Sequence, residues 1–148
     1  MICVLIPLLI GGLSALVTVG SMQDFAALRK PLLSPPGWLF PIVWSVLYIL
    51  MGVASYIVVE SGAKAEDKKR AFKTYFLQLF FNFFWSIIFF SFNAYEIAFA
   101  WLIALLALIV VTTVDFYRID KRAGILMIPY ILWVLFAGYL NLTIAYLN

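Results

Sequence analysis

The chain has 148 residues, 66% hydrophobic and only 11% charged, with a mean hydropathy of +1.09 and a net charge of +3. A water-soluble domain is nearer half apolar and a quarter charged, so this composition describes an integral membrane protein. The absence of histidine and the single cysteine, Cys3, exclude Ser-His-Asp and Cys-His nucleophile systems, a thiol pair and the usual zinc ligand sets. The basic residues sit in loops, where they report topology; nucleic acid is not expected as a partner.

At roughly 20 apolar residues per crossing, about five helices fit. The first apolar run, Met1 to about Ser21, lacks the basic flank and small-residue cleavage site of a secretory signal, and is expected to be a retained helix. A loop from about Met22 to Gly37 carries Asp24, Arg29 and Lys30 and contains the proline-rich stretch Lys30-Pro31-Leu32-Leu33-Ser34-Pro35-Pro36-Gly37-Trp38. Ser34 ahead of Pro35 and Pro36 reads as a helix start, with a capping hydroxyl and prolines in the first turn. The second helix is predicted over residues 38–59.

Glu60 to Lys73 is the strongly polar segment, with Lys64, Lys68, Lys69, Arg70 and Lys73. A third helix is predicted over 71–92. Phe92 to Glu96 leaves room only for a tight turn, so a fourth helix over 97–117 packs antiparallel to the third. Arg118 to Arg122 separates it from a fifth over 123–147, with a kink expected at Pro129. The expected fold is thus an all-α, five-transmembrane-helix bundle forming a single membrane domain over residues 1–148.

Charge bias orients it. Lys64, Lys68, Lys69, Arg70, Lys73, Arg118, Lys121 and Arg122 share the side of the N-terminus, against Arg29 and Lys30 on the other. That asymmetry predicts a multi-pass protein of the cell membrane with a cytoplasmic N-terminus and an external C-terminus. The proline-rich loop then faces outward.

Polar groups inside apolar helices are costly unless they face a partner or a cavity. Ser86, Phe89 and Asn93 share a face of the third helix. Pro41, Trp44 and Tyr48 do so in the second, and Trp133, Ala137, Leu140 and Asn141 in the fifth. At 1.5 Å per residue, Trp44 and Tyr48 lie about 10–15 Å below Trp38, and Asn141 and Trp133 roughly 10 and 20 Å below the end of their helix. The three stripes converge in the outer half beneath the proline-rich loop, the layout of a lidded cavity. Taken singly, each residue fits interfacial aromatic belts or polar helix contacts equally well. Gln78 and Asn82 are assigned to helix packing, and Asp115 with Arg118 to a local ion pair.

The first-loop and second-helix residues Lys30-Pro31, Ser34-Pro35-Pro36-Gly37-Trp38, Phe40-Pro41 and Trp44-Ser45-Val46-Leu47-Tyr48 resemble the signature of the TspO/translocator protein family. These proteins are also called tryptophan-rich sensory proteins or peripheral-type benzodiazepine receptors. The likeness continues through Gln78, Asn82, Trp85, Phe89-Phe90, Pro129-Tyr130-Ile131-Leu132-Trp133 and Phe136-Ala137-Gly138-Tyr139-Leu140-Asn141, covering nearly the whole chain in order.

The resemblance implies a membrane receptor or sensor that binds porphyrins such as protoporphyrin IX or haem, and benzodiazepine- or isoquinoline-type molecules, in a pocket closed by the first loop. Its binding positions match Pro35, Trp44, Tyr48, Ser86, Phe89, Asn93, Trp133, Ala137 and Leu140; Asn141 is added from its helix face and Trp38 from the proline-rich loop. Trp44 and Trp133 match the two tryptophans linked in some bacterial members to light-dependent porphyrin breakdown, which makes them the catalytic pair if such an activity exists. A tetrapyrrole transporter is the further alternative.

No cofactor is required and no metal site is expected. With only tyrosine, Cys3 or methionine as possible haem ligands, a tetrapyrrole is expected to be ligand or substrate, stacked between Trp44 and Trp133. Ser86, Asn93 and Asn141 would supply hydrogen bonds, and Arg29 or Lys30 would meet its carboxylates. Membrane lipid and a second copy of the chain are the other expected partners, with Gly11/Ala15 and Ala100/Ala104 as small-residue contacts for a homodimer. Two departures stand out. Leu33 stands where many members have tryptophan and Phe25 near a usual Trp-Tyr or Trp-Phe pair, so the loop has fewer rings. Tyr146-Leu147-Asn148 lacks the basic residue of the sterol pattern, so sterol binding is not expected.

Overall fold

Five helices account for nearly all of the described chain in this computed structural model, which describes residues 2–18, 39–91 and 94–147. They are α1 (Ile2–Thr18), α2 (Leu39–Val59), α3 (Ala65–Ser86), α4 (Tyr95–Ile119) and α5 (Lys121–Leu147). The last four are long and apolar enough to cross a membrane, whereas α1 is a shorter apolar helix of 17 residues. There is no strand among the described residues. The proline-rich loop lies outside them, and so do Pro35, Trp38 and Asn93.

The helices form a ring in which α1 packs on α2, α2 on α5, α5 on α4, α4 on α3, and α3 back on α1. The outward surface is apolar: Leu9, Leu16, Ile97 and Leu132 are all more than half exposed. Gln78, Asn82, Thr112 and Asn141 are turned fully inward. Lipid tails offer no hydrogen bonds, so polar side chains are placed where the protein itself can satisfy them.

The predicted spans need adjustment at their polar ends. Helix α3 begins at Ala65, six residues before the predicted Ala71, because charged residues need not end a helix. Glu66 and Asp67 occupy its first turn, where acids favour the positive end of the helix dipole. Lys and Arg are good helix formers, so the basic run extends the helix beyond the apolar segment. Helix α5 continues through Pro129.

The expected Asp115–Arg118 pair does not form. Asp115 turns into the bundle and is 8% exposed, while Arg118 is exposed. Among the described residues the ion pairs are Arg70–Asp67 at 3.3 Å and Arg122–Asp120 at 3.0 Å.

Close helix approach is written in glycines. A Cβ on Gly52 would run into the Val4 backbone and lie 2.7 Å from the Cys3 carbonyl oxygen, so α1 and α2 touch main chain to main chain there. Gly124 meets Tyr117 in the same way, 2.7 Å from its Cα, which permits the single-residue junction at Asp120 between α4 and α5. Asp120 also caps α5, its carboxylate accepting from the Arg122 backbone N–H at 2.9 Å. Hydrogen bonds from the Arg122 side chain, and then from that backbone N–H, hold the Asp120 carboxyl below the usual carboxylate range.

Gly52→Ala is expected to destabilise the protein by about 1–3 kcal/mol through overpacking. Gly12→Ala, where an added Cβ meets nothing within 4 Å, is expected to be neutral or slightly stabilising. Thermal unfolding in detergent compares the two. Asp120→Ala is expected to lower the thermal midpoint near neutral pH. Because the folded-state pKa is depressed, the gap to wild type should be complete above about pH 4, the unfolded aspartate value, and close as pH falls through the lower folded value.

Candidate functional site

Trp44 is the hub of an aromatic cluster at the end of the bundle where α2 begins. One helical turn on, Tyr48 stacks against it at 5.6 Å between ring centroids and 28° between planes. Trp85 lies at 6.5 Å, Tyr130 at 6.2 Å and Trp133 at 6.4 Å, the last two edge-on. Trp133 in turn packs against Phe40 and Phe136. Trp85 stacks on Phe89 at 5.3 Å, and Phe89 meets Tyr95 at 5.1 Å. Helices α2, α3 and α5 thus converge as their sequence stripes predict.

Below the rings runs a chain of buried hydrogen bonds. The Tyr48 hydroxyl donates to Asn82 Oδ1 at 2.7 Å, and Asn82 Nδ2 donates to the Tyr130 oxygen at 2.7 Å. The Tyr130 hydroxyl donates to Gln78 Oε1, also at 2.7 Å. Gln78 Nε2 ends the chain against Met51 Sδ at 3.8 Å, a weak contact. Helices α2 and α3 are not close neighbours in the ring, so Asn82 bridges them across the interior. Gln78 and Asn82, assigned from sequence to general packing, are the centre of this network.

Not every predicted residue is free to meet a ligand. Asn141 is fully buried: its Oδ1 accepts from Trp85 Nε1 at 3.1 Å and its Nδ2 donates to the Tyr95 carbonyl at 2.7 Å. Both ends of the amide serve the bundle, so Asn141 shapes the site by holding Trp85. Tyr48, Phe89, Ala137 and Leu140 are buried, Ser86 half-buried. The inward face of α3 runs through Tyr75, Gln78, Asn82, Trp85 and Phe89. Ser86 is displaced from that face by one residue, about 100° of helix rotation.

Trp44 and Trp133 are both half-buried, but they stand perpendicular, at 88° and 6.4 Å. That is an edge-to-face contact and leaves no slot for a planar ring between them. The parallel, spaced arrangement that the expected sandwich requires is therefore not present between these two rings. The Trp133 Nε1–H is buried with no hydrogen-bond partner among the described residues, and a buried indole donor ordinarily has one.

Trp85, Tyr95 and Tyr130 belong to the cluster and were not singled out as site residues from sequence. The signal was present: Trp85 lies three residues after Asn82, and Tyr130 three before Trp133, both helix-face spacings. At the close of α3, Ile87–Ser91 forms a π turn, a feature often found beside functional sites. It abuts the Trp85–Phe89–Tyr95 stack.

Helix α1 also bears on the site. A Cβ on Gly11 would overlap the Tyr48 ring, so glycine there lets Tyr48 lie directly on α1. Gly11, named from sequence as a possible contact between copies, is occupied by this contact within the chain. Among the described residues no cluster of three His, Cys, Asp or Glu side chains comes together.

Together these features define a polytopic α-helical membrane protein with an aromatic, hydrogen-bond-braced site at one end of its bundle. The TspO/MBR family model matches residues 3–147. A tryptophan-rich protein TspO of Archaeoglobus fulgidus is 38% identical over 98% of this chain and 94% of its own. A tryptophan-rich sensory protein of Cereibacter sphaeroides is 35% identical over 82% of this chain and 74% of its own. The Bos taurus translocator protein is 32% identical over 93% and 82% respectively. The chain belongs to the TspO/MBR family.

Asn82→Leu is expected to cost about 1–3 kcal/mol for each hydroxyl left unsatisfied. A double-mutant cycle with Tyr48→Phe should give a coupling energy of about 0.5–3 kcal/mol. Thermal unfolding in detergent measures it, and additive effects would mean that the Tyr48–Asn82 bond carries no weight.

Proposed function

We propose that this protein is a membrane receptor or sensor for planar tetrapyrroles such as protoporphyrin IX, with benzodiazepine- and isoquinoline-type molecules as competing occupants of the same pocket. The observation that carries the reading is the half-buried Trp44–Trp133 pair, with the Trp133 indole N–H buried and unpartnered among the described residues. Such a surface offers a π-face for stacking and a directed donor for a carbonyl, carboxylate or ring-nitrogen acceptor. Family membership and the relatives' names, tryptophan-rich sensory protein and translocator protein, support it.

In this reading Trp44, Trp133, Tyr48, Phe89, Ala137 and Leu140 form the pocket wall and floor, with Ser86 at its edge. Pro35, Trp38 and Asn93 join through the family correspondence as lid and rim, and Arg29 or Lys30 meets the ligand's carboxylates. The charge asymmetry orients the N-terminus to the cytoplasm and the loop outward in the cell membrane. With Gly11 used within the chain, Ala100 and Ala104, both exposed on α4, are the small-residue contact for a homodimer.

Light-dependent porphyrin breakdown is the second reading. It is favoured by the packing of two oxidisable indoles and Tyr48 around one point. Bound photosensitiser, oxygen and these rings would suffice, without acid–base groups.

Titration of protoporphyrin IX, followed by its own absorbance, tests binding. Trp44→Phe and Trp133→Phe together should weaken it by about 1–3 kcal/mol, roughly fivefold to a hundredfold in Kd. An unchanged Kd in the double variant would remove these rings as the grip. Illumination of the wild-type complex distinguishes the second reading: a new absorbing product absent from the double variant supports turnover, and simple bleaching in both opposes it.

A further inference from the structure

The opposite end of the bundle holds a separate crevice of about 240 Å³ between α1, α2 and α3. Ile6, Val59, Phe72 and Phe76 supply apolar walls, and Ser55 and Tyr75, which carry hydroxyls, line it with them. Ser55 donates to the Gly52 carbonyl at 2.8 Å. Tyr75 is only 2% exposed, and among the described residues its hydroxyl makes no hydrogen bond of good geometry, with the Ser55 side chain as a polar neighbour. A buried phenol O–H without a strong partner costs stability, and an acceptor entering the crevice would relieve that cost.

The rim is basic. Lys68 Nζ donates to the carbonyl of Val59, a crevice-lining residue, at 3.0 Å. An ammonium has three donors, so further hydrogens remain for an occupant. Lys69 lies three residues before Phe72 and seven before Phe76, on the same helical face one turn nearer the bundle end. Of the acids at this end, Asp67 is engaged by Arg70 at 3.3 Å, and Glu60 and Glu66 are exposed. The crevice is smaller than pockets that enclose a drug-sized molecule, about 300–1,000 Å³. It fits one segment of a molecule whose remainder lies along the helices.

We propose that this crevice is a binding site for an anionic phospholipid. The phosphate sits on Lys68 and Lys69, an acyl-ester carbonyl accepts from the Tyr75 hydroxyl, and the chain below it lies against Phe72 and Phe76. A cation at the rim, a donor just beneath it and apolar walls match the order of groups along such a lipid. Basic residues at a helix end attract anionic headgroups in general; the buried Tyr75 hydroxyl adds the specific element. The site is independent of the aromatic cluster and of any ligand bound there.

The test uses delipidated, full-length protein in detergent, with phosphatidylglycerol or phosphatidylcholine of identical acyl chains, read by native mass spectrometry. Phosphatidylglycerol adducts should exceed phosphatidylcholine adducts in the wild type. Lys68→Gln should lower the former about tenfold and Tyr75→Phe roughly fivefold, the worth of a charge-assisted and a neutral hydrogen bond. Phosphatidylcholine occupancy should not change. Tyr75→Phe removes at most a weak contact with Ser55, so its lipid-free thermal midpoint should stay close to that of wild type, while the midpoint gain on adding phosphatidylglycerol shrinks. Equal adducts of the two lipids in the wild type, or undiminished phosphatidylglycerol adducts in both variants, would overturn the proposal. So would variants that shift the monomer–dimer balance without altering lipid adducts, since a second copy would then be the occupant.

Discussion

The bundle depends on a constraint that the bilayer imposes: a polar side chain within it must find its partner inside the protein. Tyr48, Asn82, Tyr130 and Gln78 meet that constraint as one connected unit. One link joins α2 to α3 and two join α3 to α5, across an interior where α2 and α3 barely touch directly. Van der Waals contact between apolar helices in lipid is weakly directional, whereas an amide with one hand on each of two tyrosines fixes both rotation and depth. The aromatic cluster inherits its geometry from this unit. Tyr48 is pinned by Asn82 and supports Trp44 by stacking, while Tyr130 is pinned by the same amide and meets Trp44 edge-on.

Much of this architecture was legible in the sequence because a membrane span is a strong compositional signal. The number and order of helices followed from apolar length, and the convergence of three faces followed from helical periodicity. What was hidden follows from the same physics. Helix α3 began early because helix propensity does not stop where hydropathy does. Asp115 failed to pair with Arg118 because sequence spacing specifies proximity of backbones, not the direction in which two side chains turn. Asn141 looked like a ligand contact because an amide on an inward face advertises polarity without saying where it is used. Trp85 and Tyr95 take both of its groups. The perpendicular setting of Trp44 and Trp133 depends on side-chain torsions that no periodicity encodes.

The two ends of the bundle are built on contrasting chemistry. At one end large rings gather around Trp44; Tyr48, Trp85 and Tyr130 spend their polar atoms on the fold, while the Trp133 N–H is buried without a partner among the described residues. At the other, Lys68 stands at the rim of a small apolar crevice where the Tyr75 hydroxyl is buried without a strong partner among the described residues. Unspent donors are informative because they are rare. In a well-satisfied interior, each marks a place where the chain alone does not complete the structure.

The contact between Gly11 and Tyr48 has a consequence for how this site varies. Helix α1 contributes no ring to the cluster around Trp44, so an inspection of ligand-facing residues would pass over it. Yet the space allotted to Tyr48 is bounded by the missing side chain at position 11. A single methyl group there presses on Tyr48, and through Tyr48 on both Trp44 and Asn82. The shape of the aromatic cluster is therefore partly encoded in a helix that adds no ring to it, and in the one residue type that leaves no side chain to be noticed.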